Sequence, residues 1–226
     1  MKSILAFLPA LFAGLIIFLG LPLLGWGIGE IPQFFDNRAR LAYAIIILLL
    51  QLFVILYNPQ TGQNNQKSQS GVEKHKIDLV LIQVLSLSVV FLAPFSDKRS
   101  IGTLNLDETV RLLGFLFIIP GFILMQTAQK YLGKQFSVEV TIQKDHDLIQ
   151  AGPYKFIRHP RYLGILAFFM GISIVFRSLL AVLAVVVLSL VLARRIYAEE
   201  SLMQKEFGKK WELYCKKSWR IIPFVF

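Results

Sequence analysis

Cysteine is almost absent. Cys215 stands alone, which excludes an internal disulfide and any cysteine-cluster metal centre. Histidine is nearly as scarce, with His75, His146 and His159 in separate stretches. Two histidines could begin a zinc site, but no cysteine or third histidine stands near them, so no metal is expected. Acidic residues are few as well: 14 Asp and Glu face 24 Lys and Arg, a net charge of +10. Such an excess raises nucleic acid as a partner. The basic residues flank apolar runs, however, which is the pattern of membrane topology and anionic headgroups, so no nucleic acid is expected. Most of all, the chain lacks charge over long stretches. Ser3–Gly29 and Leu41–Tyr57 carry none, and neither do Leu79–Ser96 and Leu112–Gln129.

The composition that remains is 55% hydrophobic with a mean hydropathy of +0.61. A soluble domain is less apolar than this. Each of the four uncharged runs is close to the roughly 20 residues that a bilayer-crossing helix needs. The first is too long for a signal-peptide core and lacks a clear small-residue cleavage site, so it reads as a retained span. The polar loop Asn58–Lys76 follows the second run, and "DKRSIGTLNLDE" follows the third. No internal repeat is visible. The stretch from Lys130 to Arg161 is mixed and polar. Within it "FSVEVTI", Phe136–Ile142, alternates but has no partner strand, so it reads as irregular.

Beyond it, Leu163–Phe176 gives 14 uncharged residues and Ser178–Ala193 gives 16, separated by Arg177. The first arm would reach only about 21 Å, short of a hydrocarbon core of about 30 Å. An antiparallel hairpin with its tip at Arg177 and Ser178 fits better than two full spans. The expected fold is therefore all-α: a polytopic integral membrane protein with four transmembrane helices, a C-terminal helical hairpin and a cytoplasmic C-terminal segment. Residues 1–130 hold the four helices (about 3–29, 41–57, 79–96 and 108–130). Residues 131–226 hold a loop at 131–162, the membrane hairpin at 163–193 and a tail at 194–226. With both termini on one side, 18 of the 24 basic residues fall on that side and 6 on the other. The positive-inside rule makes the richer side cytoplasmic.

The hairpin brings together two polar stretches, "HDLIQAGPYKFIRHPRY" before it and "RRIYAEESLMQKEFGKKWELYCKKSWRIIPF" after it. The helix leaving the hairpin should run to about Phe207, because Gly208 is a good stop. Arg195 and Glu199 then lie one turn apart on one face, with Glu200 about 100° around. The plain reading is a solvated pair worth a few tenths of a kcal/mol. The other is function, because ionisable groups at the end of a membrane hairpin are costly where hydration is incomplete. His159 alone reads as a cap or packing residue, with Pro160 suited to the first helical turn. Arg158 reads as an anchor to lipid phosphate.

Taken together, "HDLIQAGPYKFIRHPRYLG", an apolar hairpin, "RIYAEESLMQKEFGKKWELY" and "IIPF" resemble the integral-membrane isoprenylcysteine carboxyl methyltransferase family and its phospholipid-methyltransferase-like relatives. The resemblance covers about Tyr131–Phe226; the first four runs match only in number and kind. It implies S-adenosylmethionine as cofactor and a lipid-borne methyl acceptor, most closely an isoprenylcysteine carboxylate. It places cofactor contacts on His146, Asp147, Leu148 and Ile149, on Tyr154, on His159, Pro160, Arg161 and Tyr162, and on Glu199. It places the acceptor at Arg195. Where some relatives have a neutral amide donor upstream, this chain has Glu139.

The chemistry suits such residues. A carboxylate acceptor is already ionised, so no strong base is needed, and the protein must mainly align reactants and exclude water. Arg195 can hold a carboxylate at two points. Glu199 can receive an ammonium or ribose hydroxyls, and backbone amides around Gly152 can take a carboxylate. Tyr154 and Tyr162 offer ring faces and hydroxyls. The same core admits a phospholipid or other lipid N- or O-methyltransferase. It also admits a nicotinamide-dependent sterol-type reductase, since those enzymes share a related "RHPxYxG" core. A non-enzymatic scaffold or small transporter is the third class, and a transporter should carry ionisable groups mid-bilayer, which the first four runs lack.

Overall fold

The computed structural model describes residue 9 and residues 11–57, 76–133 and 147–223. The irregular reading of 136–142, and the positions of His75, Glu139 and His146, lie outside them. Among the described residues the chain is helical, with two isolated bridges and no strand.

Eight main helical segments follow in order among the described residues, with a single 3-10 turn, Gly152–Lys155, between the fifth and the sixth. They are α1 (Leu11–Trp26), α2 (Ile28–Phe35), α3 (Arg38–Tyr57), α4 (Lys76–Arg99), α5 (Glu108–Leu132), α6 (Pro160–Val175), α7 (Leu179–Phe207) and α8 (Lys209–Cys215). Three of them, α4 from Ile77, α5 and α7, are long and apolar enough to cross a membrane, and the α1–α2 pair makes a fourth if counted as one span. The chain therefore has the make-up of a polytopic integral membrane protein. Large apolar side chains such as Leu116, Leu190 and Leu49 point outward, as expected where the solvent is lipid.

The first uncharged run is not one straight span. It bends by 88° between Trp26 and Ile28. Gly27 sits at the bend with φ 124°, a conformation open to glycine. Pro32 then suits the first turn of the α-helical part of α2, Ile31–Phe35, which follows a 3-10 turn at Ile28–Glu30. α6 is 16 residues long, about 24 Å at 1.5 Å per residue and so shorter than a full span. α7 has 29 residues and continues past the apolar arm until Gly208, at φ 49°, stops it. The tip between α6 and α7 is held by the α4–α5 loop. Leu104 donates its backbone N–H to the carbonyl of Arg177 at 2.7 Å, and Leu179 donates to Gly102 at 2.8 Å.

Helices α5 and α6 touch backbone to backbone. A Cβ on Gly164 would lie 2.6 Å from the carbonyl oxygen of Gly121, and one on Gly171 would lie 2.5 Å from that of Gly114. Two glycine pairs, spaced by seven residues on each helix, make this approach possible. Lipid offers no hydrophobic force between helices, so close packing of small residues is what joins them. Gly164 thus serves helix packing. The buried core around this pair includes Phe34, Tyr43, Ile118, Ile172 and Phe176. Tyr43 donates its hydroxyl to the carbonyl of Phe18 at 2.8 Å, which satisfies the one polar atom of a fully buried ring.

At the hairpin tip lies a buried charge cluster. The Asp97 carboxylate accepts from Arg111 at 2.8 Å, from Arg177 at 2.6 Å and from Arg40 at 3.3 Å, and its side chain has no solvent exposure. Arg111 also donates to the carbonyl of Val175, and Arg40 to that of Phe34, both at 2.8 Å. Four segments are thereby tied at one end of the molecule.

Candidate active site

The opposite end of the hairpin carries the second cluster. Pro160 opens α6 and His159 is its N-cap. α7 returns alongside, bringing Arg195, Glu199 and Glu200 to the same level. The expected pairing on α7 is present: Arg195 Nε donates to Glu199 Oε1 at 3.0 Å. Arg195 Nε also donates to the Tyr162 hydroxyl at 2.8 Å, and that hydroxyl donates to Glu199 in a short bond. The His159 ring lies between the two carboxylates, with Nδ1 3.5 Å from Glu199 Oε2 and Nε2 3.3 Å from Glu200 Oε1. It stacks on Tyr162 with the planes 13° apart. Four residues singled out in the sequence, His159, Tyr162, Arg195 and Glu199, thus meet in one bonded group. Arg195 is nearly closed off, while the Glu199 side chain keeps 21% of its surface open.

A third layer supports this group. Glu200 accepts from Arg158 Nε at 2.9 Å through Oε1 and from Arg220 Nε at 2.9 Å through Oε2. The tail that carries Arg220 is stitched by backbone bonds to Phe156–His159, the segment that leads into α6 and forms its doorway. Arg158 donates its backbone N–H to Trp219 at 2.8 Å, His159 donates to Arg220 at 3.0 Å, and Trp219 donates to Phe156 at 2.9 Å. Arg158 also caps the carbonyls of Cys215 and Ser218. It is therefore a strut between doorway and tail, where the sequence suggested a lipid anchor. Glu200 and Arg220 were not singled out by sequence. Glu200 could have been found from its neighbour Glu199, but nothing local marks Arg220.

The electrostatics follow from this arrangement. Burial alone would pull the His159 imidazole down, but hydrogen bonds to Glu199 and Glu200 together outweigh it and raise its pKa above the ordinary histidine value. Burial pushes the Tyr154 phenol up and lifts Tyr214 to about 12. Both remain neutral donors at physiological pH.

The remaining sequence candidates are placed as follows. Asp147 and Leu148 line an open cleft of about 600 Å³ together with Phe207, Lys210, Leu213 and Tyr214. Ile149 lies half-buried next to them in sequence. Gly152 has φ 58°, and a Cβ there would stand 2.4 Å from the ring of Tyr131. That turn therefore requires glycine. Tyr154 is buried, and its carbonyl accepts from the Tyr214 hydroxyl at 2.6 Å. Arg161 is half-buried beside Pro160. The cleft and the His159 group share no lining residue; Tyr214, in the cleft wall, connects to the doorway through Tyr154. No group of three or more metal-ligating side chains occurs among the described residues.

A phospholipid methyltransferase family model matches residues 109–210. Protein-S-isoprenylcysteine O-methyltransferase B of Arabidopsis thaliana is 31% identical over 196 residues, covering 84% of this chain and 95% of that protein. The Saccharomyces cerevisiae protein-S-isoprenylcysteine O-methyltransferase is 28% identical over 220 residues, covering 90% and 87%. The solved structure of a eukaryotic intramembrane Ras methyltransferase, isoprenylcysteine carboxyl methyltransferase, shares the fold. Its TM-score is 0.51 at 21% identity, over 96% of this chain and 98% of that one. With the Arabidopsis protein matched over nearly its full length, the chain belongs to the protein-S-isoprenylcysteine O-methyltransferase family of membrane methyltransferases.

Proposed function

We propose that the chain transfers a methyl group from S-adenosylmethionine to the carboxylate of an isoprenylcysteine, at the cytoplasmic surface of the membrane. The observation that carries this is the bonded group of His159, Tyr162, Arg195 and Glu199 at the open end of the hairpin. The 18-to-6 division of basic residues supports the cytoplasmic orientation. Four spans and the hairpin, with residues 131–226 as the catalytic region, are the arrangement consistent with it.

The donor set fits the cofactor. An amino-acid tail carries both charges, and here carboxylates and cations alternate within hydrogen-bond reach. Glu199, partly open, would receive the ammonium or the ribose hydroxyls. Asp147 and Leu148 in the cleft wall, with Ile149 next in sequence, would meet the adenine, while Tyr154 and Tyr162, the one buried and the other stacked on His159, shape the site behind it. Arg161 and Pro160 set the doorway, with Gly152 shaping the turn below it. When bound, S-adenosylmethionine supplies an already electrophilic methyl group. The chain's own residues then have three tasks. Arg195 holds the ionised acceptor by its planar fork, and Glu199 and Tyr162 hold Arg195 in turn. The buried base of the hairpin excludes water. No proton has to be removed, because the attacking oxygen is a carboxylate.

The test is purified enzyme with methyl-labelled cofactor and two acceptors in parallel: a prenylated cysteine with a free carboxylate, and phosphatidylethanolamine vesicles. Label in a base-labile methyl ester supports the reading. Label only in the phospholipid amine overturns the acceptor, and label in neither overturns the function.

A further inference from the structure

We propose that Glu200 is a positioning residue: clamped by Arg220 from the tail and by Arg158 from the doorway, it fixes the orientation and the charge of His159. The clamp is fully specified by geometry. One carboxylate oxygen receives Arg158 Nε at 2.9 Å and faces His159 Nε2 at 3.3 Å. The other receives two nitrogens of Arg220, at 2.9 and 2.8 Å. A carboxylate held at both oxygens by two guanidinium groups has no rotational freedom left. Its distance to the imidazole is thereby set from outside the ring.

Among the described residues the other carboxylate facing His159 is Glu199, and that one is shared with Tyr162 and Arg195. Glu199 is the group assigned to the cofactor, so its share in holding the ring must change as ligand arrives. Glu200 is committed to the protein on both sides and supplies the constant half. The groups facing the ring are Glu199 and Glu200 with Arg195 from α7, Arg158 and Tyr162 from either side of its own position, and Arg220 from the tail. Of these, only the two carboxylates stabilise the imidazolium, and burial opposes it. A group whose pKa is raised on folding contributes stability that is complete below the ordinary histidine pKa. That contribution is lost as pH climbs through the raised value. The inference rests on the methyltransferase reading only for what a charged, fixed His159 does in turnover; its placement stands on the contacts.

The chain has three histidines, so nuclear magnetic resonance of the full-length protein with labelled histidine can follow each ring. His159 is assigned by the signal lost in His159→Gln. Wild type should titrate above a free histidine. Glu200→Gln should lower the midpoint of His159 by about one pH unit, a tenfold loss of proton affinity, since a carboxylate at this distance shifts a partner by one to three units. If Glu200→Gln does not fold, Glu200→Asp keeps the charge but draws it back by one methylene, and should lower the midpoint by a smaller amount. An unchanged His159 midpoint in a folded variant overturns the proposal. Binding of S-adenosylhomocysteine across the same pH range separates the two readings. Affinity that follows the shifted midpoint supports both. A shifted midpoint in a protein that binds no S-adenosylhomocysteine keeps the role of Glu200 and removes the cofactor reading.

Discussion

The α6–α7 hairpin ends in a buried acid–arginine cluster at each side, and the two differ in a way that separates a clasp from a site. At the tip, one carboxylate, Asp97, holds three arginines and is wholly enclosed. At the base, two carboxylates share a histidine, a tyrosine hydroxyl and three arginines, and one of them remains partly open. The tip pairs one carboxylate with guanidinium groups alone. The base contains an imidazole beside a bonded phenol, and one carboxylate with surface left for a ligand. Buried charge near a membrane is costly in both places. Cost alone therefore does not mark function; openness and a titratable partner are what make the base the candidate site.

The largest expected effect tests the closed end. Asp97→Asn keeps the shape and removes the charge, leaving Arg40, Arg111 and Arg177 around a neutral amide. Breaking a buried ion pair from one side costs about 3–5 kcal/mol, which should appear as a large drop in the detergent-solubilised unfolding temperature. S-adenosylhomocysteine affinity of the surviving folded protein should change by less than about twofold, because well-separated sites act independently. A folded, stable Asp97→Asn with lost affinity would make the tip part of the site and erase the contrast.

The open end should behave in the reverse manner. Arg195→Ala should lower turnover by about 100-fold, since positioning and charge alignment each supply several kcal/mol. The apparent cofactor constant should rise only a few-fold, through the loosened Glu199 at 3.0 Å. Lysine at 195 should rescue poorly, because it keeps the charge and loses the fork. Steady-state constants for both variants decide it, and near-wild-type turnover in Arg195→Ala would move the acceptor elsewhere.

The comparison also shows what could be read from the sequence. The pairing of Arg195 with Glu199 followed from helical spacing, because both partners sit on one regular element. The hairpin tip and the stop at Gly208 followed from breaks in an uncharged run. The α5–α6 contact was hidden: Gly114 and Gly121 lie in an apolar run, and their partners, Gly171 and Gly164, come 57 and 43 residues later. Asp97 was hidden for the same reason, since its three arginines come from α3, α5 and the tip. The 88° bend at Gly27 was hidden because hydropathy counts residues and ignores direction. Gly171→Ala checks the hidden contact. Its Cβ would stand 2.5 Å from a backbone oxygen that cannot rotate away. The helices must part, at a cost of about 1–3 kcal/mol, so thermal unfolding should fall by less than in Asp97→Asn.

The smallest expected effect concerns a single oxygen. Tyr162→Phe keeps the ring that stacks on His159, 5.7 Å between centroids, and removes the hydroxyl that joins Arg195 to Glu199. Those two remain 3.0 Å apart without it, so the pair survives and no buried charge is stranded. The loss is then one hydrogen-bonded bridge, about 0.5–1.5 kcal/mol. The cofactor constant should rise by about two- to tenfold, with turnover changed less than in Arg195→Ala and the unfolding temperature lower by only a few degrees. Calorimetry with S-adenosylhomocysteine, paired with initial rates, measures both. If the hydroxyl served only to pack the base of the hairpin, stability would fall and affinity would hold. If Tyr162→Phe removed binding altogether, the hydroxyl would have to touch the ligand itself, and the bridge between Arg195 and Glu199 would be a state that ligand breaks.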